Sequence, residues 1–296
     1  MKLAIPDPYG LTSSRALDVA AERELWPTAL GSREIAEVPD VLKSRAVFSA
    51  RTTNARYLAE LKARVERYLA AGYKGDKATL RVELKQELRR LAYSPLTGFP
   101  GDEGLGIPSA EPGSLQDLSS DRRINLILDT QLRLMTGKAQ RAAGLSPRAM
   151  MRKPAWELVR TEGRRIPRDW PKRWVEAGGT LFEGRMIALK DAEVWSVIGD
   201  PAIFPDALGV DHPPFAHASG MGWQQVDEEE CLRLGVLKKR RPVPPREVKL
   251  FDVMPDAVAS TDKMDRGILA ALKRKLGGFL ESAKRITWRA IFGREG

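Results

Sequence analysis

The stretch DRRINLILDTQLRLMTGKAQRAAG, residues 121–144, decides how the middle of the chain folds. Its apolar residues recur three or four positions apart, the spacing of one helix face, and they are Ile124, Ile127, Leu128, Leu134 and Met135. A Ser-Ser-Asp run at residues 119–121 can cap the start, and Gly144 can stop the helix. A long amphipathic helix is therefore predicted, and the polar Gln131 near its apolar stripe is expected to make structural hydrogen bonds.

Two more helices are predicted upstream, and a loop follows them. Asn54 or the two threonines before it can cap a helix whose apolar face is formed by Leu58, Leu61, Val65, Tyr68 and Leu69. Asp76 starts a second helix with a stripe of Leu80, Leu84, Leu88 and Leu91, while Glu83, Lys85, Glu87 and Arg89 are expected outside it. Pro and Gly crowd residues 94–113, so this segment is predicted to be a long loop.

The pattern changes after Pro154 to short apolar runs separated by glycines, which is typical of an α+β domain. Strands are predicted at residues 155–161 and 181–182, and a helix at residues 189–198. Residues 206–226 are expected to be rich in loops. Asp227 can cap a short helix that ends at Gly235.

The whole chain is thus predicted to be α+β: a helical N-terminal region, a small α+β domain and a C-terminal amphipathic helix. Its five segments are an N-terminal arm at 1–50, a helical region at 51–144, the α+β domain at 145–236, a basic Pro-containing linker at 237–262 and a basic amphipathic helix at 263–296. The apolar face of that last helix is a candidate contact surface for a partner or a membrane, with Leu272, Leu276, Phe279, Leu280 and Trp288.

The net charge of +10 is concentrated in three segments. Residues 145–174 hold nine Lys or Arg against three acids, residues 237–250 six against one, and residues 263–296 nine against three, so the rest of the chain is net negative. Such segments favour polyanions, although each could equally be a solvated face without a ligand. The candidate DNA contacts are Arg164, Arg165, Arg168, Lys172, Arg173, Lys238, Lys239, Arg240 and Arg241. Trp170 and Trp174 lie among them and could stack on bases or belong to the core.

The sequence contains no group of residues with the spacing of a catalytic site, so the chain is not expected to be an enzyme or to need a cofactor. It has two histidines, His212 and His217, and one cysteine, Cys231, without the spacing of a zinc site or of a nucleophile with its base. The phosphate-binding pattern GxxxxGK[ST] is absent. No signal-peptide core or run of eighteen apolar residues occurs, and one cysteine suits a reducing compartment, so the cell interior is expected.

The order of these elements resembles that of the Mu F-like phage head morphogenesis proteins. The opening helix, SRAVFSARTTNARYLAELKARVERYLAAG, the second helix after it, and DRRINLILDTQLRLMTGKAQRAAG look like three successive helices of that family. PAWELVRTEGRRIPRDW is similar to its aromatic strand followed by an Arg-Pro pair, and DHPPFAHASGMGW to its Pro-Pro loop. The resemblance covers residues 44–236. Where the family carries a His and a Cys-x-Cys, this chain has Trp170 and residues 216–219, which argues against a metal or thiol role.

The resemblance implies a minor head protein that acts with portal and major capsid proteins in the assembly of a tailed phage or prophage. Such a protein would be found in the prohead or virion head, and in the host cytoplasm during assembly. Two alternatives stay open: a toxin or processing enzyme carried on a Mu F-like domain, and a peripheral membrane protein bound through residues 263–296.

Overall fold

The structure, a computed structural model, describes residues 12–36, 38, 43, 45–72, 76–240, 258–260 and 285–287. The chain forms two compact units. We call Ala20–Leu132 with Asp252–Gly296 the helical unit, and Met1–Val19 with Arg133–Phe251 the sheet unit. Both contain elements that the sequence patterns predict, and the chain as a whole is mixed helix and sheet, consistent with an α+β class.

The first fifty residues, predicted as an arm, contribute short elements and buried side chains. They comprise α1 (Thr12–Ala21), β1 (Glu24–Leu25), α2 (Ser32–Ala36) and β2 (Ala46–Val47), and β1 pairs with β2 in parallel. Trp26 and Leu30 are buried within the helical unit. This segment therefore supplies core residues as well as chain connections.

Two capped helices follow, as the apolar spacing predicts. In α3 (Ala55–Ala70) the Asn54 side chain accepts a hydrogen bond from Tyr57 N, and in α4 (Lys77–Arg90) the Asp76 side chain accepts one from Ala78 N. The predicted apolar faces are largely confirmed, with these residues buried: Leu58, Leu61, Val65, Leu69, Leu80, Leu84 and Leu88. Tyr68 and Leu91 are only half-buried.

Glu87 was predicted to lie on the outer face of α4, and this is wrong. Its side chain is buried, with Arg56 Nε at 3.2 Å from one carboxylate oxygen and Arg90 Nη1 at 3.5 Å from the other. Both arginines are mostly exposed, so they cover the carboxylate from the solvent side. A buried carboxylate requires such partners, and sequence spacing alone does not reveal them.

The long helix α5 (Asp121–Gly144) runs as predicted and is capped by Ser120, whose Oγ accepts from Arg123 N at 3.1 Å. Gln131 has the structural role expected of it. Arg23 Nη1 donates to Gln131 Oε1 at 2.8 Å, and Gln131 Nε2 donates to Phe48 O at 3.1 Å. The buried amide thereby ties α5 to the first segment of the helical unit.

The sheet unit is built on four antiparallel strands in the order β4-β5-β3-β6. After α6 (Pro147–Arg152) these elements follow in sequence: β3 (Ala155–Arg160), α7 (Trp170–Glu176), β4 (Leu181–Phe182), β5 (Arg185–Leu189), α8 (Val194–Val197), β6 (Met221–Val226) and α9 (Glu228–Arg233). In the register of the central strand, Trp156 faces Ala188 on one side and Gln225 on the other. The predicted strands at 155–161 and 181–182 are thus observed.

The core of the sheet unit is aromatic. Trp156 stacks on Trp223 with ring centroids 3.8 Å apart, and Trp195 makes edge contacts with Trp174 at 5.0 Å and with Trp223 at 5.4 Å. Phe215 contributes a fully buried ring from the Pro-Pro loop. Each such ring pair adds about 0.5–1.5 kcal/mol beyond the area that it buries. This cluster holds the loop and α7 against the sheet.

Two elements of the sheet unit differ from the prediction. Residues 189–198 were predicted as one helix, but Leu189 ends β5 and only Val194–Val197 is helical. Residues 221–226 were predicted as loop, but they form β6. Leu189, as the last residue of β5, and β6 both pair with β3, so distant hydrogen bonds rather than local periodicity determine their structure.

The predicted C-terminal helix is interrupted by a strand. β7 (Val258–Ser260) pairs antiparallel with β8 (Arg285–Thr287), so the prediction of a continuous helix over residues 263–296 is wrong at β8. Ile286 and Thr287 are β-branched residues, which suit a strand. The other residues of that prediction lie outside the described part of the chain, and they include Leu272, Leu276, Phe279, Leu280 and Trp288.

Candidate functional site

The basic loop, residues 160–169, carries three of the nine candidate DNA contacts, and α7 directly after it carries two more. The loop is anchored to the residue before β6, since the backbone N–H groups of Thr161 and Glu162 donate to Gly220 O at 2.8 and 3.1 Å. Gly220 has a φ of +69°, and a Cβ there would lie 2.6 Å from Glu162 O. The close approach therefore requires glycine, and it fixes the base of the loop.

Arg173, a candidate DNA contact, is a buried structural residue. Its Nη2 donates to Ile198 O at 2.8 Å and its Nη1 to Asp206 Oδ1 at 2.6 Å. The guanidinium also lies over the Phe204 ring, 4.2 Å from its centroid. Only 6% of Arg173 is exposed, so it cannot reach a phosphate. The prediction that Arg173 contacts DNA is therefore wrong, because its guanidinium group is buried and bonds Ile198 O and Asp206.

Trp170 and Trp174 are core residues as well. They are 1% and 0% exposed, and both belong to the aromatic core of the sheet unit. Trp174 Nε1 donates to Thr180 O at 2.9 Å, which fixes the ring. Of the two roles that the sequence left open, stacking on bases is thereby excluded.

Three further candidates are held in ion pairs. Arg164 Nη2 lies 2.8 Å from Glu162, Arg168 Nε lies 2.5 Å from Asp206, and Lys172 Nζ lies 3.9 Å from Glu176. These side chains are one-quarter exposed or more, and the Lys172 pair is largely exposed. Such exposed ion pairs are weak in water. These cations can therefore bind an approaching polyanion if their ion pairs with the carboxylates break.

Asp206 shows how the basic loop is coupled to the core. Burial by itself raises the pKa of this carboxyl, but the hydrogen bond from Arg173 and the charges of Arg173 and Arg168 outweigh burial, and the pKa is lowered. Arg168 Nη2 also donates to His217 O at 2.9 Å. The carboxylate thus joins a buried arginine to a half-exposed one.

Arg165 is an exposed cation of the basic loop that forms no ion pair within the described part of the chain. Arg160 is exposed too, and it makes a single long hydrogen bond of 3.4 Å from Nη2 to Arg168 O. Beside Arg165, Ile166 exposes 79% of its surface. Sequence reasoning missed Arg160 and Ile166. An isolated apolar residue between arginines and a proline is a signal that could have pointed to Ile166.

Beyond α9, Lys238 and Lys239 are exposed, while Arg240 Nε lies 3.5 Å from Glu228. Arg241 lies outside the described residues. Of the nine candidates, Arg165, Lys238 and Lys239 are therefore exposed cations that carry no ion pair in the described structure.

A second charged site lies at the other end of β6. Arg185 bonds Glu157 at 2.7 Å and Glu230 at 2.6 Å, and Arg233 bonds Glu230 at 2.7 Å and Glu183 at 3.1 Å. Hydrogen bonds from Arg233 and Arg185 lower the pKa of Glu230 to about 2. An open surface pocket of about 480 Å³ is lined by Arg185, Glu230 and Arg233, together with Gln224, Gln225, Val226, Asp227 and Glu229. Both arginines of the pocket are therefore matched by carboxylates, so the pocket offers no free cation to an anionic ligand.

The histidines and the cysteine are not arranged for catalysis in the described residues. His212 is buried against Pro213 O, 2.8 Å from Nδ1, and burial lowers its pKa to about 4 although the Asp211 charge opposes the shift. Burial raises the pKa of the Cys231 thiol to about 11. His217 lies on the surface. No group of three or more His, Cys, Asp or Glu side chains that could hold a metal ion occurs in the described ranges.

Comparison with protein-family models, with curated proteins and with solved structures finds no match to this chain. Within the part of the chain that the structure describes, none of the helices has the length and apolar content needed to cross a membrane.

Proposed function

We propose that this chain is a minor head protein of a tailed phage or prophage, acting with portal and major capsid proteins in head assembly and in DNA packaging or ejection. The observation that carries the proposal is the order of sequence segments in residues 44–236, which resembles the Mu F-like head morphogenesis proteins. The observed order of α3, α4, a long loop, α5, β3 and the Pro-Pro loop is compatible with that resemblance. We place the protein in the prohead or virion head, and in the host cytoplasm during assembly.

A contact with genomic DNA that does not depend on sequence forms part of the proposal. Arg165, Lys238 and Lys239 are exposed cations free to meet phosphates, and the chain carries a net charge of +10. Phosphate contacts carry no base information, so we expect binding without sequence preference. No catalytic activity and no cofactor belong to the proposed role.

The experiment that tests the proposal is quantitative mass spectrometry of proheads and mature particles from a lysate that encodes this chain. Particles are purified on a density gradient and treated with nuclease and high salt, so that proteins held only by free DNA are removed. We expect the chain at a few copies beside the portal and major capsid proteins. An abundant cytoplasmic host protein measured in the same fractions serves as the control for contamination.

The two fractions separate the stages of the proposed role. Presence in proheads alone supports a part in assembly, and presence in mature particles adds a part in ejection. Absence from both, with the protein free in the lysate, would overturn the structural role. Enrichment in the membrane fraction would instead favour the peripheral membrane alternative.

A further inference from the structure

Residues 94–118, which we call the acidic loop, differ in charge from the rest of the chain. They contain four acids, Asp102, Glu103, Glu111 and Asp117, and no Lys or Arg, in a chain with a net charge of +10. Loops of this length without regular structure are uncommon in compact domains and are usually functional or disordered. The hydrogen bonds inside the loop decide between those two cases.

The acidic loop is fixed by its own hydrogen bonds. Ser94 and Gly98 exchange backbone bonds of 2.8 and 2.9 Å, and Ala110 N donates to Pro95 O at 2.7 Å. The buried Asp102 accepts from Phe99 N at 2.7 Å. The buried Asp117 accepts from Gly113 N and Ser119 N, each at 2.8 Å, and Tyr93 Oη accepts from Leu118 N at 2.9 Å. The two buried acids therefore hold the loop in one shape, and the exposed Glu103 adds a hydrogen bond that it accepts from Gly101 N at 2.9 Å.

The other two acids and three leucines face solvent. Glu103 and Glu111 are exposed, and Leu96, Leu105 and Leu115 expose 63%, 40% and 48% of their surfaces. A single exposed leucine is ordinary, but three on a preformed loop that also carries net negative charge are suited to a protein contact. DNA and anionic membranes are unsuitable partners, because their charge repels the glutamates.

The basic loop, residues 160–169, has the complementary composition. It presents Ile166 with 79% of its surface exposed, next to the exposed Arg165 and near Arg160. It too is fixed at its base, through the bonds from Thr161 N and Glu162 N to Gly220 O. Both loops thus combine apolar tips with opposite charges, and neither has to be ordered before it binds, which lowers the entropic cost of contact.

We propose that the acidic loop of one copy of this chain docks onto the basic loop of a second copy. The leucines would pack against Ile166, and Glu103 and Glu111 would face Arg160 and Arg165. Because two different surfaces meet, two copies either exchange both contacts in a closed two-fold dimer or associate head-to-tail into a ring or an open chain. The proposal does not depend on the phage role, since it rests on the two loops alone.

The test is sedimentation velocity of the full chain over a range of concentrations at about 50 mM and about 500 mM salt, which span strong and weak charge interaction. We expect the weight-average sedimentation coefficient of the wild type to rise with concentration at low salt and to fall toward the monomer value at high salt. A wild type that stays monomeric at every concentration would overturn the proposal.

Charge-reversed variants make the test specific. Glu103→Lys with Glu111→Lys makes the exposed charges of the acidic loop positive, and Arg160→Glu with Arg165→Glu makes the net charge of the basic loop negative. Each variant alone should show an apparent dissociation constant at least about tenfold weaker than that of the wild type. An equimolar mixture of the two should associate again, since the loops of one variant then meet loops of opposite charge on the other. A mixture that stays monomeric while the wild type associates would contradict the pairing.

Two controls keep a loss of association from being misread. Arg89→Glu with Arg122→Glu reverses two exposed arginines of the helical unit outside both loops, and it should leave association unchanged. Val82→Ser removes a side chain that is 51% exposed on α4 and should also have no effect, whereas Leu96→Ser with Leu115→Ser should weaken association. If the control variants lose association equally, charge or apolar area in general drives it, and the loop pairing is wrong. Far-ultraviolet circular dichroism of each variant checks that it is folded.

Discussion

At the scale of single residues, the cations of the sheet unit serve two different purposes. Arg173 and Lys190 are 6% and 1% exposed, whereas Arg165 lies on the surface. Counting charges along the sequence cannot separate these cases, because all are Lys or Arg near apolar residues. The separation depends on acceptors that arrive from other elements, such as Ile198 O for Arg173 and Gly144 O for Lys190.

The structural role of Arg173 gives the first prediction. Arg173→Met should lower the free energy of unfolding by about 2–4 kcal/mol, because it leaves Ile198 O without its donor and takes from the partly exposed Asp206 one of its two arginine partners. Urea unfolding followed by tryptophan fluorescence measures the change. Arg165→Met, at an exposed position in the basic loop, should change stability by less than about 0.5 kcal/mol. Equal effects of the two substitutions would show that Arg173 is not part of the core.

Lys190 gives a prediction about pH. Its Nζ donates to Gly144 O at 3.0 Å beside the Trp156 ring, and burial, assisted by the Lys153 charge, lowers its pKa to about 7. The unfolded chain keeps this proton up to a pKa near 10.5, so between about pH 7 and 10.5 the unfolded state binds more protons. The contribution of Lys190 to the free energy of unfolding therefore rises with pH across that window. Below about pH 7 the cost of burying the charged side chain is present in full.

Lys190→Met removes this titration. The stability of the variant relative to the wild type should be greatest below about pH 7 and should decline steadily toward pH 10, as measured by urea unfolding at each pH. The comparison cancels the titration of other groups, such as Cys231. Removal of the hydrogen bond to Gly144 O adds an offset that does not vary with pH. A difference that stays constant from pH 6 to 10 would mean that Lys190 titrates normally.

At the scale of elements, local sequence patterns predicted correctly the helices that have a regular apolar face and a capping residue. α3, α4 and α5 are long, amphipathic and capped by Asn54, Asp76 and Ser120, so their sequences define them. β6 could not be predicted in this way, because MGWQQV contains a glycine and two glutamines and is a strand only through its pairing with β3. The same limit explains Leu189, which the apolar spacing assigned to a helix.

The candidate site was predictable in location but not in its individual interactions. The sequence pointed to residues 160–174 as a basic region, and exposed cations do occur there. It could not show that Glu162 and Asp206 engage Arg164 and Arg168, since Asp206 lies far along the chain. Ion pairs between distant elements have no periodic signature, so the residues free to meet a ligand emerge only from the fold.

Packing of the Pro-Pro loop on α5 gives a prediction at this scale. A Cβ at Gly137 would lie 2.0 Å from Pro213 O and 2.6 Å from His212 Nδ1, so Gly137→Ala must push the loop away from the helix. We expect a loss of about 1–3 kcal/mol of stability despite the higher helix propensity of alanine. Gly163→Ala is the matched control, because nothing lies within 4 Å of its Cβ position. Thermal unfolding by circular dichroism compares the two, and a Gly137 variant as stable as the control would refute the tight packing.

At the scale of the whole molecule, the charge is divided between surfaces that suit different partners. The acidic loop holds four acids and no cation, while exposed cations occupy the basic loop and residues 238–239. A copy whose basic loop is docked on another copy would have only Lys238 and Lys239 left for DNA among these residues. Self-association and DNA contact through Arg165 therefore compete, and the two activities must be measured separately.

DNA binding is best tested by fluorescence anisotropy with two unrelated short duplexes over a series of salt concentrations, at protein concentrations below the onset of self-association. The wild type should bind both duplexes equally, with an affinity that falls steeply as salt rises. The triple variant Arg165→Ala, Lys238→Ala and Lys239→Ala should bind both duplexes more weakly. The slope of log affinity against log salt should become shallower by about 0.9 for each phosphate that is no longer neutralised. Arg89→Ala with Arg122→Ala, which removes two exposed arginines of the helical unit, should leave the slope unchanged. Unaltered binding by the triple variant would show that other cations contact DNA, and a preference for one duplex would contradict recognition through phosphates alone.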